Sequence, residues 1–169
     1  CESDPEAAQT AIEDFARYLR GNLDSIKRST PVPFTKELEH IQIYLSLEKM
    51  RFEDDLRVVW DVEADGFMLP ALTVQPLVEN AVKYGVGKKP GGGTVTISTK
   101  DLPDRYTVTV QDDGVGYDPN KTQDDGRTHI GIDNVRSRLS SMCGGELSIE
   151  STPGQGTVAV ITILKEAGK

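Results

Sequence analysis

The chain has little cysteine, no surplus of positive charge and no long apolar run, and each shortage removes a class of function. Cys1 and Cys143 are its two cysteines, and they form no metal-ligand spacing; such sparse use suits a reduced, cytosolic protein. Lys and Arg number 19 against 27 Asp and Glu, a formal net charge of −8. That balance disfavours nonspecific binding to nucleic acid or to an anionic membrane, both of which rest on positive charge. A small phosphorylated ligand needs only local donors, so it stays open. The longest apolar runs, at 68–74 and 158–164, are far too short to span a bilayer. Glu2, Asp4 and Glu6 open the chain and do not read as a signal peptide. A start at Cys-Glu-Ser-Asp-Pro-Glu, without methionine, is expected of a piece of a longer protein. At 169 residues the chain suits one ordinary domain with a helical extension, and no internal repeat is visible.

What is present divides into two textures. Up to about Phe52 the pattern is helical. Ser3 or Asp4 can cap, Pro5 suits a first helical position, and Glu6 suits the positive helix start. Ala8, Ile12, Phe15, Leu19, Leu23 and Ile26 recur at gaps of three or four, with Gly21 the weak link, and Pro31 and Pro33 force an extended connection. A second helix is expected near Thr35, with Leu38, Ile41, Tyr44, Leu45 and Leu47 on its stripe; both helices read as ordinary core-facing elements. Beyond Leu56 the pattern predicts a strand at 56–62, a helix at 73–84, strands at 94–99 and 105–111, a helix from near Ile130 to Gly144, and strands at 146–150 and 157–164. Each of the two later strand pairs can form a hairpin. This order points to an α/β sandwich, an antiparallel-rich sheet covered by helices on one side. The polar run at 117–129 has the character of a functional lid or a disordered loop.

Short motifs bracket that run. In the 75–85 helix, Asn80, Lys83 and Tyr84 fall at i, i+3 and i+4, on one helical face. An amide oxygen suits Mg²⁺, an ammonium suits phosphate and a phenol ring can line a base pocket, although an amphipathic helix with a polar outer side has the same pattern. Asp112-Asp113-Gly114-Val115-Gly116 follows a strand: the glycines allow a tight turn and close approach to a ligand, and the carboxylate can accept from an exocyclic amine. Taken alone, it also reads as a plain turn. Gly154-Gln155-Gly156-Thr157 likewise reads as a hairpin turn, and the helix start at His129-Ile130-Gly131 offers backbone N–H groups to a polyphosphate.

In this order, the motifs resemble the ATP-binding domain of the gyrase, Hsp90, histidine kinase and MutL superfamily. The segments Leu-Val-Glu-Asn-Ala-Val-Lys and Gly-Ile-Asp-Asn-Val-Arg-Ser-Arg-Leu look like those of LytS-type sensor histidine kinases, and the resemblance extends upstream through residues 15–20 and 38–52. It implies a two-layer α/β sandwich, the Bergerat ATP-binding fold, with an N-terminal helical extension. Residues 1–52 would be the end of the dimerisation and histidine-phosphotransfer region, and 53–169 the catalytic domain. It also implies ATP and Mg²⁺ as ligands. Asn80 would coordinate the metal, Lys83 a phosphate, and Tyr84 would lie near adenine or ribose. Asp112 would bind the adenine amine, with Gly114 and Gly116 giving the ring room. Gly154, Gly156 and Thr157 would shape the wall, and a lid at 117–130 would close with Ile130 and Gly131 at its end.

The departures from the family pattern bear on catalysis. His129 stands where a glycine is usual, and Pro76 stands four residues before Asn80, where related ATPases carry an activating carboxylate. Glu79, the remaining candidate base, is roughly 100° around the helix from Asn80. The Asn-Pro-His-Phe segment with the phosphoacceptor histidine of LytS-type kinases is not in this sequence; His40 reads as a polar-face residue and His129 as a lid residue. The expected activity is therefore transfer of the ATP γ-phosphate to a histidine outside this chain. The alternatives are a degenerate nucleotide-binding regulatory module and a gyrase- or MutL-like ATPase. The resemblance further implies a response regulator and a homodimeric, membrane-attached parent protein. This part would be cytoplasmic and would contact neither nucleic acid nor membrane.

Overall fold

The computed structural model describes residues 5–26, 29–118 and 126–165. Its elements are α1 (Pro5–Ile26), β1 (Val32–Pro33), α2 (Phe34–Phe52), β2 (Leu56–Val62), β3 (Met68–Leu69), α3 (Gln75–Asn80), β4 (Gly93–Asp101), β5 (Arg105–Asp112), α4 (Gly126–Cys143), β6 (Glu146–Thr152) and β7 (Gly156–Leu164). Five strands form one sheet in the order β2-β4-β5-β7-β6, parallel only between β2 and β4. Both expected hairpins form, β4 with β5 and β6 with β7, and β5 pairs with β7 between them.

Alternation along the strands builds the core. Val95 and Ile97 on β4, Val108 and Val110 on β5, and Ala159, Ile161 and Ile163 on β7 are buried, while the residues between them are more exposed. Against that face pack Ile41 and Leu45 of α2, Leu77 and Val78 of α3, and Val135 and Leu139 of α4. Helices thus cover one side of an antiparallel-rich sheet, as the pattern predicts. At 0% exposure, Phe34 opens α2 one residue before the expected start and stacks on Phe67 at 4.8 Å between ring centroids. A small pair, β1 with β3, ties the proline link to the segment before α3; its two-residue strands leave no legible period.

The first helix departs from expectation. Its apolar stripe does not face the core: Ile12 is 70% exposed, Phe15 53%, Leu19 45% and Leu23 61%. Instead α1 meets α2 through Tyr18, Asp14 and Gly21. A Cβ on Gly21 would lie 1.6 Å from Nε2 of His40, so the glycine is where that ring sits against the α1 backbone. His40 is accordingly half-buried rather than a solvated polar-face residue, with a ring centroid 6.0 Å from that of Tyr18. Composition cannot distinguish a helix-weakening glycine from one that admits a neighbour.

Candidate functional site

Asp112 ends β5 on the inward phase of the strand, so pleating buries its carboxylate to 4% exposure and leaves Asp113 outside. The two adjacent aspartates therefore do different work. Asp113 accepts from the Thr94 N–H at 2.8 Å and pins the turn to β4. Asp112 accepts from the Gly114 N–H at 2.9 Å, and burial pushes its carboxyl up to about 6 despite N–H donors from Gly114 and Thr157. A buried acceptor of this kind suits an amine donor from a ligand.

The end of the α3 region lies directly against this carboxylate. After Asn80 the helix widens into a π turn, Ala81–Gly85, which packs on β5 and β7. A Cβ on Gly85 would fall 2.4 Å from Oδ1 of Asp112, and one on Gly114 would fall 2.2 Å from the Gly85 carbonyl carbon. Gly85 and Gly114 thus let two backbones touch beneath the carboxylate. By resemblance Gly114 clears space for a ligand and Gly85 has no assigned role; the signal for Gly85 is a glycine at the end of the polar helix. π turns are frequent at functional sites. This one also changes the even i, i+3, i+4 face expected for Asn80, Lys83 and Tyr84.

The side chains on this turn have different partners. Asn80 is half-buried and makes no side-chain hydrogen bond to the described residues, which leaves its amide oxygen for a ligand. Lys83 is exposed and sits 3.8 Å from Glu79 Oε2. Tyr84 is exposed, with the Lys88 ammonium 5.2 Å from its ring centroid. Glu79 is engaged by α1 and by its own helix: its Oε1 accepts from the Tyr18 hydroxyl at 2.7 Å and from Gln75 Nε2 at 2.8 Å.

The opposite wall is made by the turn between β6 and β7. Register sets Thr157 opposite Asp112. The Thr157 hydroxyl is 2.9 Å from Ser151 Oγ, which itself accepts from the Tyr117 N–H at 2.9 Å. Gly116 and Gly156 have φ of +59° and +96°, and their Cβ positions would strike the Thr152 and Asp112 carbonyl oxygens. Gly154 donates its N–H to the Val115 carbonyl at 2.7 Å, which joins the two glycine turns. The structure therefore gathers Asp112, Gly114, Gly116, Gly154, Gly156 and Thr157 at one end of the sheet, beside Gly85.

The remaining motif, the helix start at His129-Ile130-Gly131, lies on α4. That helix begins at Gly126, a full turn before the expected start near Ile130, so the expected lid is shorter at this end. By helix geometry the unpaired N–H groups of the first turn include those of residues 126–128, and Ile130 and Gly131 follow one turn in. Gly131 is half-buried. The side chains of His129 and Ile130, and residues 119–125 of the lid, lie outside the described residues. Among the described residues no three His, Cys, Asp or Glu side chains come together as a metal site.

A buried acceptor thus lies between glycine turns, below a polar helix end, within a stretch of sequence that matches a known family. Residues 68–167 match the family model described as histidine kinase-, DNA gyrase B- and HSP90-like ATPase, and residues 1–56 match that of histidine kinases. The chain belongs to this ATPase family. It is 42% identical over 160 residues to the uncharacterized protein YwpD of Bacillus subtilis, covering 91% of this chain and 58% of that one. To the sensor histidine kinase YpdA of Escherichia coli it is 34% identical over 151 residues, 86% of this chain and 26% of the relative. Sensor protein LytS of Enterococcus faecalis shares 29% over 153 residues, 85% of this chain and 26% of that protein. The chain thus spans between about a quarter and three fifths of these relatives. Its fold is that of solved histidine kinase domains. The blue-light activated histidine kinase domain of Erythrobacter litoralis superposes with a TM-score of 0.60 at 17% identity, over 92% of this chain and 73% of that one. Full-length ShkA, solved in complex with AMPPNP, superposes at 0.59 and 20% identity, over 94% and 36%.

Proposed function

We propose that this chain is the ATP-binding catalytic part of a sensor histidine kinase, and that it presents the γ-phosphoryl group of Mg-ATP to a histidine outside the chain. The observation that carries this reading is the buried Asp112 carboxylate, held by the Gly114 N–H beside the Gly85 backbone, in a chain of this ATPase family. The adenine amino group donates to Asp112, and Thr157 with Ser151 supports the base through the hydroxyl pair behind it. Asn80 holds Mg²⁺ through its amide oxygen. One protein ligand suffices, because Mg²⁺ is commonly bound by one or two side chains together with substrate phosphates. When bound, the metal neutralises phosphate charge. Lys83 leaves Glu79 to meet a phosphate, and Tyr84 lines the base or ribose side. Gly131 and the first turn of α4 border the phosphates from the lid side, with Ile130 and His129. Glu79 is held by Tyr18 and Gln75, which suits orientation of the α1 region more directly than proton removal from a distant nucleophile.

Residues 1–52 serve as the end of the dimerisation region, and 53–169 as the catalytic domain. The uncovered stripe of Ile12, Phe15, Leu19 and Leu23 supports a homodimer of the parent protein. A response regulator would receive the phosphoryl group. By family resemblance this part would lie on the cytoplasmic side of a membrane-attached parent; no helix among the described residues is long and apolar enough to cross a membrane. The test is calorimetric titration with ATP and ADP, with Mg²⁺ and after chelation, followed by addition of a histidine-bearing segment from a relative. Metal-sensitive binding near 1 μM corresponds to about −8 kcal/mol. Acid-labile phosphorylation of the added histidine is the expected second result. Steady phosphate release without an acceptor indicates an ATPase, and binding without transfer a regulatory module.

A further inference from the structure

The turn that starts α3 is held in a shape its own residues disfavour. Leu72 has φ of +56°, in the left-handed region that a bulky side chain rarely adopts. Such strain persists where surrounding groups over-determine it. Here the surroundings are two charged side chains from distant helices. Glu37, on the buried face of α2 at 4% exposure, accepts from three consecutive backbone N–H groups: Leu72 at 2.6 Å, Thr73 at 3.1 Å and Val74 at 3.1 Å. Arg138, on α4, donates from Nη1 to the Ala71 carbonyl at 2.5 Å and from Nη2 to the Leu72 carbonyl at 2.7 Å.

The pairing is peptide by peptide. In the 71–72 peptide the C=O faces the guanidinium and the N–H faces the carboxylate, and the 72–73 peptide repeats the arrangement. A trans peptide directs these groups in opposite directions, so each unit lies between a cation and an anion that polarise it in the same sense. The Thr73 hydroxyl closes the turn on the Pro70 carbonyl at 2.6 Å. From Val74 the chain enters α3, whose six residues span about 9 Å and end at Asn80. So short a helix carries any tilt of its first turn directly to its last residue.

We propose that Glu37 and Arg138 are positioning residues for the metal–phosphate side of the nucleotide site: they clamp the 71–74 turn and thereby fix where Asn80 stands. Neither residue touches nucleotide in the proposed complex. The inference rests on the Mg-nucleotide reading and adds to it a route by which α2 and α4 both determine the placement of α3. The base pocket meets this helix at Gly85, beyond Asn80, and has supports of its own in the Asp112–Gly114 turn and the β7 register, so the clamp acts chiefly on the metal side.

Calorimetric titration of the 169-residue chain with ATP in Mg²⁺, ATP after chelation, and adenosine tests this directly. Glu37→Gln replaces an acceptor by an amide that turns donors toward N–H groups, and Arg138→Lys keeps the charge but loses the fork that reaches two carbonyls. Each variant is expected to lose about tenfold of the Mg²⁺-dependent gain in ATP affinity, the scale typical of outer-shell supports of a metal site. Adenosine affinity should stay at the wild-type value. The double variant should lose little more than the worse single, because both act on one turn. If the gain is unchanged in both variants, or if adenosine and ATP weaken together, the positioning role is wrong. Should Glu37→Gln fail to fold, Arg138→Lys decides alone. A wild-type chain that binds no nucleotide overturns the proposed function and this inference together, and is told apart because it needs no variant.

Discussion

The charge state of Asp112 links nucleotide binding to pH in a way that separates function from stability. The carboxyl lies at about 6 in the folded chain against an ordinary value near 3.8, because burial disfavours its ionised form. The folded state therefore holds the proton more tightly than the unfolded chain does. Below about pH 4 both states are protonated and the group contributes nothing. Between about 4 and 6 the unfolded chain ionises first, so stability falls as pH rises, and above about 6 the full penalty of order 3 kcal/mol is present. Asp112→Asn removes the ionisation with little change of shape. Urea unfolding of wild type and variant from pH 4 to 8 should show the variant gaining on the wild type across that window, by up to about 3 kcal/mol. The ligand needs the opposite state, a carboxylate to accept from the adenine amine. Wild-type adenosine affinity should therefore fall as pH drops through about 6, while the Asn variant binds more weakly at pH 8 by about 10- to 100-fold, the scale of a charge-assisted hydrogen bond. A variant more stable yet weaker in binding is the signature of a functional buried acid. A stability difference that is flat in pH, or wild-type affinity in Asp112→Asn, would refute the reasoning.

Other perturbations read neighbouring parts. Asn80→Ala should remove most of the Mg²⁺-dependent gain in ATP affinity and leave adenosine binding unchanged, as titration in Mg²⁺ and in chelator will show. Gly114→Ala puts a methyl group 2.2 Å from the Gly85 backbone, where no side chain can swing away, so a loss of about 2–4 kcal/mol in urea unfolding is expected together with loss of nucleotide binding. Gly21→Ala meets only the His40 ring, which can move; it should loosen α1 in hydrogen exchange while the sheet keeps its protection. His40→Ala in the same chain should restore α1 protection.

Much of the fold is legible in the sequence because strand alternation and helix periodicity report a one-sided core. Val95, Ile97, Val108 and Val110 mark an inward face by period two, and Val135 and Leu139 mark a helix stripe. Asp112 is legible for a related reason, a carboxylate at a strand end before glycines. The same period misleads on α1, where a regular apolar stripe is exposed. Periodicity shows that a face is apolar and says nothing about which partner covers it.

Local pattern by itself determined the order of the longer elements, the two hairpins, and the spacing of Asn80, Asp112 and Thr157 along the chain. These follow from interactions between near neighbours, which each short segment encodes independently. Only the tertiary structure decided that Gly85 and Gly114 meet beneath Asp112, that Gly21 admits His40, and that Glu37 and Arg138 grip one strained turn from opposite helices. Those contacts join positions far apart in sequence. Their physical content lies in backbone approach and in the direction of individual N–H and C=O groups, which a string of residue types does not carry.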